Sequence, residues 1–561
     1  MTINNEIKNL FLQKRFSEII FLIESKFEKK SSEILNILAI SRLSQQRSRE
    51  IYKQSLSEFE EAYLKDKNSQ DGLNALINYL NAAADLDDYL GHQDTSNFSK
   101  FFLDQSVKFF KEAENKFGYN PKLISMGIRI FKRLNQIDTI LIYYKKLYEK
   151  NDLNLQTFTS WIFFNNYKTY WKQKDYNKFT KLLDLHIPNI PNEKLVNLSN
   201  KKNNKIKIGF LSSDINKSHS ITFFLKTICT SYNKKEFELY LFLNHKIEDE
   251  GVENFKKLVD GTFNISKLND IEAINFIRKK NIDITFDIMG LSSSNRIALF
   301  KNRVSPIQIS WLGYCNTLGI KNMDYLIADP NLIYENEIDQ YSEKVMFLPN
   351  IWNCHKGFEF RRQEYPAPVL KNDYITFGSF NNFNKINSSV VKIWSDILKK
   401  IPNSKLIIKS PTKKDINYLE DLFDTNNVKQ SISFLPPEKE FINHLNLYQK
   451  IDIALDPFPW NGVTTSFESI WMGVPVLTMK GYNFNSRCGE SINRNIKMEE
   501  LIASDEDDYI KKAVNLATNK NYLVSIRKKI YNEAITSPLF NVDKFSRDFN
   551  NTLLKLIDYN N

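Results

Sequence analysis

Apolar residues recur at three- and four-residue intervals along most of the first third of the chain. The segments EIKNLFLQKRFSEIIFLIESKF and TILIYYKKLYEK show the pattern, which predicts helices each burying one face. Only four glycines (Gly72, Gly91, Gly118 and Gly127) and one proline, Pro121, interrupt the chain before the Pro188/Pro191 pair. Paired helices of this kind suggest an α-solenoid of tetratricopeptide type. RFSEIIFLIE opens like the first helix of such a repeat, yet Ile19 stands at the usual small position and no fixed period emerges. A degenerate repeat-like domain over 1–187 is expected, with an irregular helical domain as the alternative.

The pattern then changes. HIPNIPNEKLVNLSNKKNN is poor in apolar residues and predicts a linker over 188–204. Beyond it, short apolar runs alternate with helical patterns. IKIGFLSSD, FELYLFLNH, IDITFDI, IQISW, DYLIA and KVMFL form one series, expected as a lobe over 205–365. YITFGSF, KLIIK, SISFL, DIALD and VPVLTM form a second over 366–561. Alternating strands and helices imply two doubly wound parallel sheets, with ligands binding beyond the carboxyl ends of the strands.

Composition narrows the class. The chain has 561 residues, of which 42% are hydrophobic and 25% charged, as expected of several folded domains rather than a disordered chain. The net charge of +11 is spread over a Lys-, Asn- and Ile-rich background without a dense basic block, so nucleic acid is not an expected partner. The cysteines, Cys229, Cys315, Cys354 and Cys488, form no paired motif, which predicts neither a zinc site nor a disulfide framework. No apolar run approaches the roughly 18 residues needed to cross a bilayer, and the first residues lack a signal-peptide layout, so a cytoplasmic location is expected.

Three stretches carry candidate chemistry. In DIALDPFPWNGVTTSFESIWMGVPVLTM a strand leads through a Pro/Gly loop, with Asn461 and Gly462, to Thr464 and Thr465 at a helix start near Ser466. Hydroxyls and free backbone N–H groups there suit a diphosphate. Thr465-x-x-Glu468 is equally a plain capping box, and both readings stand on spacing alone. In ITFGSFNNFNKINSSVVKIW, Lys385 lies between a strand exit and a helix capped by Asn387 or Ser388. It can neutralise a leaving diphosphate or be a solvated surface lysine. In KIGFLSSDINKSHSITFFL, His219 follows the first strand of the first lobe. It can accept a proton or be a satisfied loop residue. His444, in EKEFINHLNLYQKIDIALD, can stack on a base or lie on a helix face.

These blocks, in this order, resemble the catalytic region of the O-linked N-acetylglucosamine transferase and SPINDLY family, glycosyltransferase family 41. So do NRIALFKNRVSPIQISWLGYCNTLGIKNMDYLIADP, QYSEKVMFLP and SPLFNVDKFSRDF, so that the resemblance covers roughly 205–550. It implies an α/β GT-B fold of two Rossmann-like domains behind the helical one, inversion at the anomeric carbon, and no metal or other cofactor. It places Lys385 on the donor diphosphate with Asn382 beside it, and Thr464 and Thr465 at the phosphate-binding helix start. Glu468 then contacts the ribose, His444 the base, and His219 the sugar and acceptor as candidate catalytic base.

This chain departs from the family at Leu291, where bacterial relatives often carry His, and at Cys315-Asn316, where Pro-Gly is usual. A lysine or arginine near the base-side histidine is replaced by Phe441, with Lys439 as the nearby substitute. The resemblance implies transfer of N-acetylglucosamine from UDP-N-acetylglucosamine to Ser or Thr of proteins guided by the helical arm. Another nucleotide sugar such as GDP-fucose, a non-protein acceptor, or a catalytically weak scaffold are the alternatives. The expected partners are a nucleotide-sugar donor and acceptor proteins, without membrane insertion.

Overall fold

The computed structural model describes residues 5–91, 94, 97–168, 171–190, 205–216, 219–245, 249–358, 362–409 and 412–560. The chain divides into two compact units, Met1–Leu153 with Ser410–Asp421, and Asn154–Lys409 with Leu422–Asn561.

The first unit is helical. Its helices run from Asn5–Leu12 to Ile137–Glu149, and several are capped by Ser or Asn side chains (Ser31, Ser48, Ser69, Asn120), each accepting a first-turn N–H. The stretch quoted above for its apolar spacing breaks at Gln13–Arg15, giving helices Asn5–Leu12 and Phe16–Lys26. Ile7, Ile19, Leu22, Ile23, Ile34 and Leu38 close one core. Ile19 is fully buried there, so the larger side chain at the usual small position fills the core rather than allowing close helix approach.

The second unit opens with two more helices, Leu155–Asn165 and Gln173–His186. They were expected to close the helical domain at 187, whereas the compact division falls at Leu153. Most of the anticipated 188–204 linker lies outside the described residues; Asn302 holds its first part, donating to Pro188 O and accepting from Ile190 N.

Two parallel sheets follow. The first holds β1 (Ile206–Ser212), β2 (Phe237–Leu243), β3 (Gly261–Asn264), β4 (Ile284–Asp287), β5 (Ile307–Ser310), β6 (Tyr325–Ala328) and β7 (Lys344–Phe347), in the order β3-β2-β1-β4-β5-β6-β7. The second holds β8 (Thr376–Ser379), β9 (Lys405–Lys409), β10 (Ile432–Leu435), β11 (Ile453–Leu455), β12 (Val476–Met479) and β13 (Ile502–Ala503), in the order β10-β9-β8-β11-β12-β13. Central strands β4 (ITFD) and β5 (IQIS) are buried at every position, including their polar residues Thr285, Asp287, Gln308 and Ser310.

The order reverses beside β1 in one sheet and beside β8 in the other, and the loops leaving those strands carry the candidate residues. The last helix, Val542–Asn560, follows the second sheet in sequence but packs on the first. Phe549 stacks 5.9 Å from Phe286 and 4.9 Å from Trp311, and Ser546 hydrogen-bonds Ser231. The 366–561 stretch expected as one lobe is therefore shared between the two sheets. Among the described residues no helix is long and apolar enough to cross a membrane.

Candidate active site

β11 ends at Leu455, and the chain then turns through Asp456–Val463 into the Thr464–Trp471 helix. No side chain caps that helix: the N-cap position is Val463, whose carbonyl accepts from both Ser466 N and Phe467 N. The capping box anticipated from Thr465 and Glu468 is not formed. Thr465 Oγ1 donates instead to Asn381 Oδ1 at 2.9 Å, and Glu468 turns toward His444 and Tyr448. Among the described residues the Thr464 hydroxyl has no partner. Among the described residues the helix start thus keeps its positive end and the N–H groups of Thr464 and Thr465 uncommitted, while Ser466 N turns back to Val463 O.

The loop itself is locked. The buried Asp456 accepts from Gly462 N at 2.6 Å and from Thr478 Oγ1 at 2.7 Å, and burial pushes its carboxyl up to about 7. Gly462 fits because it lacks a side chain: a Cβ there would lie 2.6 Å from both Asn381 Oδ1 and Thr465 Oγ1. Asn461 is fully buried, its amide donating to Pro457 O and its side-chain oxygen accepting from Gly489 N.

Lys385 closes the floor. It leaves β8 through a short turn, and the following Ser388–Lys400 helix is capped by Asn387, which accepts from Val390 N at 3.0 Å. Lys385 Nζ donates to Asn461 O at 2.6 Å and lies 5.6 Å from the Trp460 ring. Burial lowers its pKa, opposed by the nearby Asp456 carboxylate. It is not a solvated surface lysine. Asn382 is exposed, its side-chain oxygen accepting from Asn384 N and its carbonyl from Lys385 N within its own turn; its neighbour Asn381 is the amide that faces the helix start.

A second group lines the other side of the same helix. His444, on the Phe441–Asn446 helix, has one ring nitrogen 2.9 Å from Glu468 Oε2 and the other 3.0 Å from Lys409 Nζ. An ammonium only donates, so Nδ1 accepts and Nε2–H donates to the carboxylate. Tyr448 OH donates to the same Oε2 at 2.8 Å, leaving Glu468 Oε1 outside these bonds. Lys409 ends β9, and burial lowers its pKa against the pull of Glu468. The cation beside His444 is therefore Lys409. Lys439, anticipated in that role, is exposed. Phe441, at the departed position, places its ring 5.8 Å from His444. Lys409, Tyr448, Asn381 and Asp456 escaped the sequence reading, although Lys409 and Asp456 both stand at strand exits where ligands bind.

Among the described residues His219 is bonded to neither group. It is exposed, two residues before the Ile221–Ser231 helix, and its Nδ1 accepts from Ile221 N at 3.4 Å. That helix nevertheless reaches the site: Phe224 meets Phe467 at 5.1 Å and Phe223 meets Phe441 at 5.2 Å, edge-on and tilted respectively. Leu291 is buried, and Asn316 is fully buried in the loop after β5.

Comparison with known proteins identifies the family and the fold. A tomato (Solanum lycopersicum) protein named as a probable UDP-N-acetylglucosamine–peptide N-acetylglucosaminyltransferase SPINDLY is 30% identical over 352 residues, covering 61% of this chain and 37% of that protein. The Arabidopsis thaliana protein of the same name is 29% identical over 349 residues, covering 61% and 38%. The chain thus spans well under half the length of these relatives. A solved Thermobaculum terrenum O-GlcNAc transferase mutant superposes with a TM-score of 0.79 at 18% identity, over 95% of this chain and 99% of that one, which establishes the shared GT-B fold. The profile described as "Glycosyl transferase family 41" matches residues 180–357 and 358–549, a span that takes in both sheets, and the chain belongs to that family.

Proposed function

We propose that this chain is an inverting, metal-independent glycosyltransferase that moves a sugar from a nucleoside diphosphate donor to Ser or Thr hydroxyls of proteins. UDP-N-acetylglucosamine is the leading donor, in line with the names of the curated relatives. The observation that carries the reading is the convergence of Lys385, the free Thr464 hydroxyl and an uncapped helix start on one locked loop. A structural helix start gains from a cap, whereas this one withholds Thr465 and Glu468 from capping and leaves its donors open.

In the reaction the acceptor oxygen attacks the anomeric carbon from the face opposite the leaving group. The bond from that carbon to the β-phosphate oxygen breaks, and its electron pair leaves with the nucleoside diphosphate. Charge builds on the diphosphate, where the Lys385 ammonium, the threonine hydroxyls and the helix N–H groups meet it. A diphosphate beside Lys385 favours its charged form, offsetting the burial that lowers its pKa. Glu468, held by His444 and Tyr448 through Oε2, offers Oε1 to a ribose hydroxyl, and His444 with Phe441 flanks the base. His219, exposed just before the Ile221–Ser231 helix, is the candidate to take the acceptor proton, directly or through water.

The test is a panel of UDP- and GDP-sugars incubated with the protein and an acceptor lysate, reading nucleotide release and intact-mass shifts. One donor is expected to turn over, and Lys385→Ala to slow it about 100-fold, the scale of one lost preorganised donor. No turnover with any donor, or full activity in the variant, overturns the proposal.

A further inference from the structure

Four buried asparagines link Lys385 to a helix that precedes both lobes. Asn461, whose carbonyl receives Lys385 Nζ, donates its own N–H to Asn485 O at 3.2 Å. Asn485 Oδ1 accepts from Asn316 Nδ2 at 3.3 Å, across from the second lobe to the first. The same Nδ2 donates to Asn166 Oδ1 at 3.2 Å, at the end of the Leu155–Asn165 helix. Asn166, Asn316, Asn485 and Asn461 are 5%, 0%, 2% and 0% exposed, so water does not compete for these bonds.

Asn316 is fully used. Both amide hydrogens are donated, and its Oδ1 accepts from Thr317 N at 2.8 Å. Aspartate lacks the donors and alanine lacks everything. The packing runs parallel to the bonds: Phe163 and Tyr167, on either side of Asn166, lie 5.2 and 4.8 Å from the Trp460 ring over which Lys385 sits.

We infer that Asn316 is a positioning residue that ties the pre-lobe helix, the first lobe and the phosphate loop into one rigid frame holding the Asn461 carbonyl under Lys385. The inference rests on the reading of Lys385 as the diphosphate lysine. The bridge needs the Asn316 amide, since glycine or alanine there has no side chain to make it.

The test compares Asn316→Ala, Asn485→Ala and the double variant with Asn493→Ala. Asn493 is an equally buried asparagine whose amide donates to Val476 O and takes no part in the chain of bonds. Steady-state turnover of the active donor, binding of UDP and GDP by calorimetry, and melting temperature are measured on the full-length protein. Asn316→Ala and Asn485→Ala are each expected to lower kcat about tenfold with donor KM within about threefold, and the double variant to be no worse than either single one. Asn493→Ala should lose comparable stability while keeping kcat within about twofold. Losses that follow melting temperature alone, with Asn493→Ala falling on the same line, overturn the inference, as do additive effects in the double variant. A wild-type protein that neither binds a nucleotide nor turns over a donor removes the functional reading itself, and the inference with it.

Discussion

Replacing Gly462 with alanine adds one methyl group at the tightest point of the phosphate loop. The Cβ would lie 2.6 Å from Asn381 Oδ1, 2.6 Å from Thr465 Oγ1 and 3.0 Å from Asp456 Oδ1. Ordinary contact begins at 3.4 Å, so the first two atoms must each retreat by about 0.8 Å, the difference between 3.4 and 2.6. Neither is the free end of a long side chain. The Thr465 hydroxyl donates a hydrogen bond to Asn381 Oδ1, and Asp456 Oδ1 accepts one from the N–H of Gly462 itself. The strain therefore moves the loop, and with it Asn461 O beneath Lys385 and the threonines at the helix start. Overpacking of this kind costs about 1–3 kcal/mol of stability. A displacement near 1 Å at a reacting centre costs on the order of 100-fold in rate. Initial rates with a saturating donor, alongside melting temperature, separate the two effects. Gly462→Ala is expected to stay folded at 25 °C and to lose most of its kcat. A variant that melts lower yet turns over within twofold of wild type would refute the idea that this loop's exact placement limits catalysis.

Three further outcomes follow from the same geometry. Lys409→Met removes the donor to His444 Nδ1 and frees the ring to change tautomer, so nucleoside diphosphate affinity by calorimetry should weaken about tenfold, or about 1.4 kcal/mol. Asp456 has its carboxyl raised by burial to about 7, so the folded state holds a proton that the unfolded state releases from about pH 4 upward; its contribution to stability is present below that and lost as pH rises to 7. Chemical denaturation from pH 4 to 8 should therefore show wild type declining relative to Asp456→Asn across that window, and parallel curves would refute the assignment. Phe549→Ala empties a buried ring site between Phe286 and Trp311 and should destabilise by about 3–5 kcal/mol, read as an earlier denaturant midpoint, with nucleotide affinity unchanged in the folded protein.

Much of the frame was legible because buried parallel strands announce themselves as apolar runs. The strands that escaped were those without such runs. β3 is GTFN, half-buried at a sheet edge and ending on an exposed Asn, and β13 is two residues long. At the site, spacing left Thr465 and Glu468 balanced between a cap and a ligand role. What removes the cap is distant in sequence: Asn381 draws Thr465 away, and His444 with Tyr448 draws Glu468. Lys409 was invisible for the same reason, as nothing in KLIIK shows that its last residue meets a histidine 35 positions on. The division of the helical segment was hidden too. Leu155–Asn165 has the same apolar spacing as its predecessors, and the distant partners of Phe163, Asn166 and Tyr167 are what assign it to the lobes.

The Val542–Asn560 helix has a consequence for how the chain is made. It completes the core of a sheet whose strands were all synthesised by Phe347, and its bond from Ser546 to Ser231 closes a separation of 315 residues. At a ribosomal pace of about 5–20 residues per second, the first sheet waits many seconds with Phe286 and Trp311 lacking their cover. During that interval the second sheet can fold completely, although it comes later in the sequence. The order of synthesis and the order of completion are thus reversed for the two lobes, and the nascent first lobe is the stage at which buried apolar surface stays open longest.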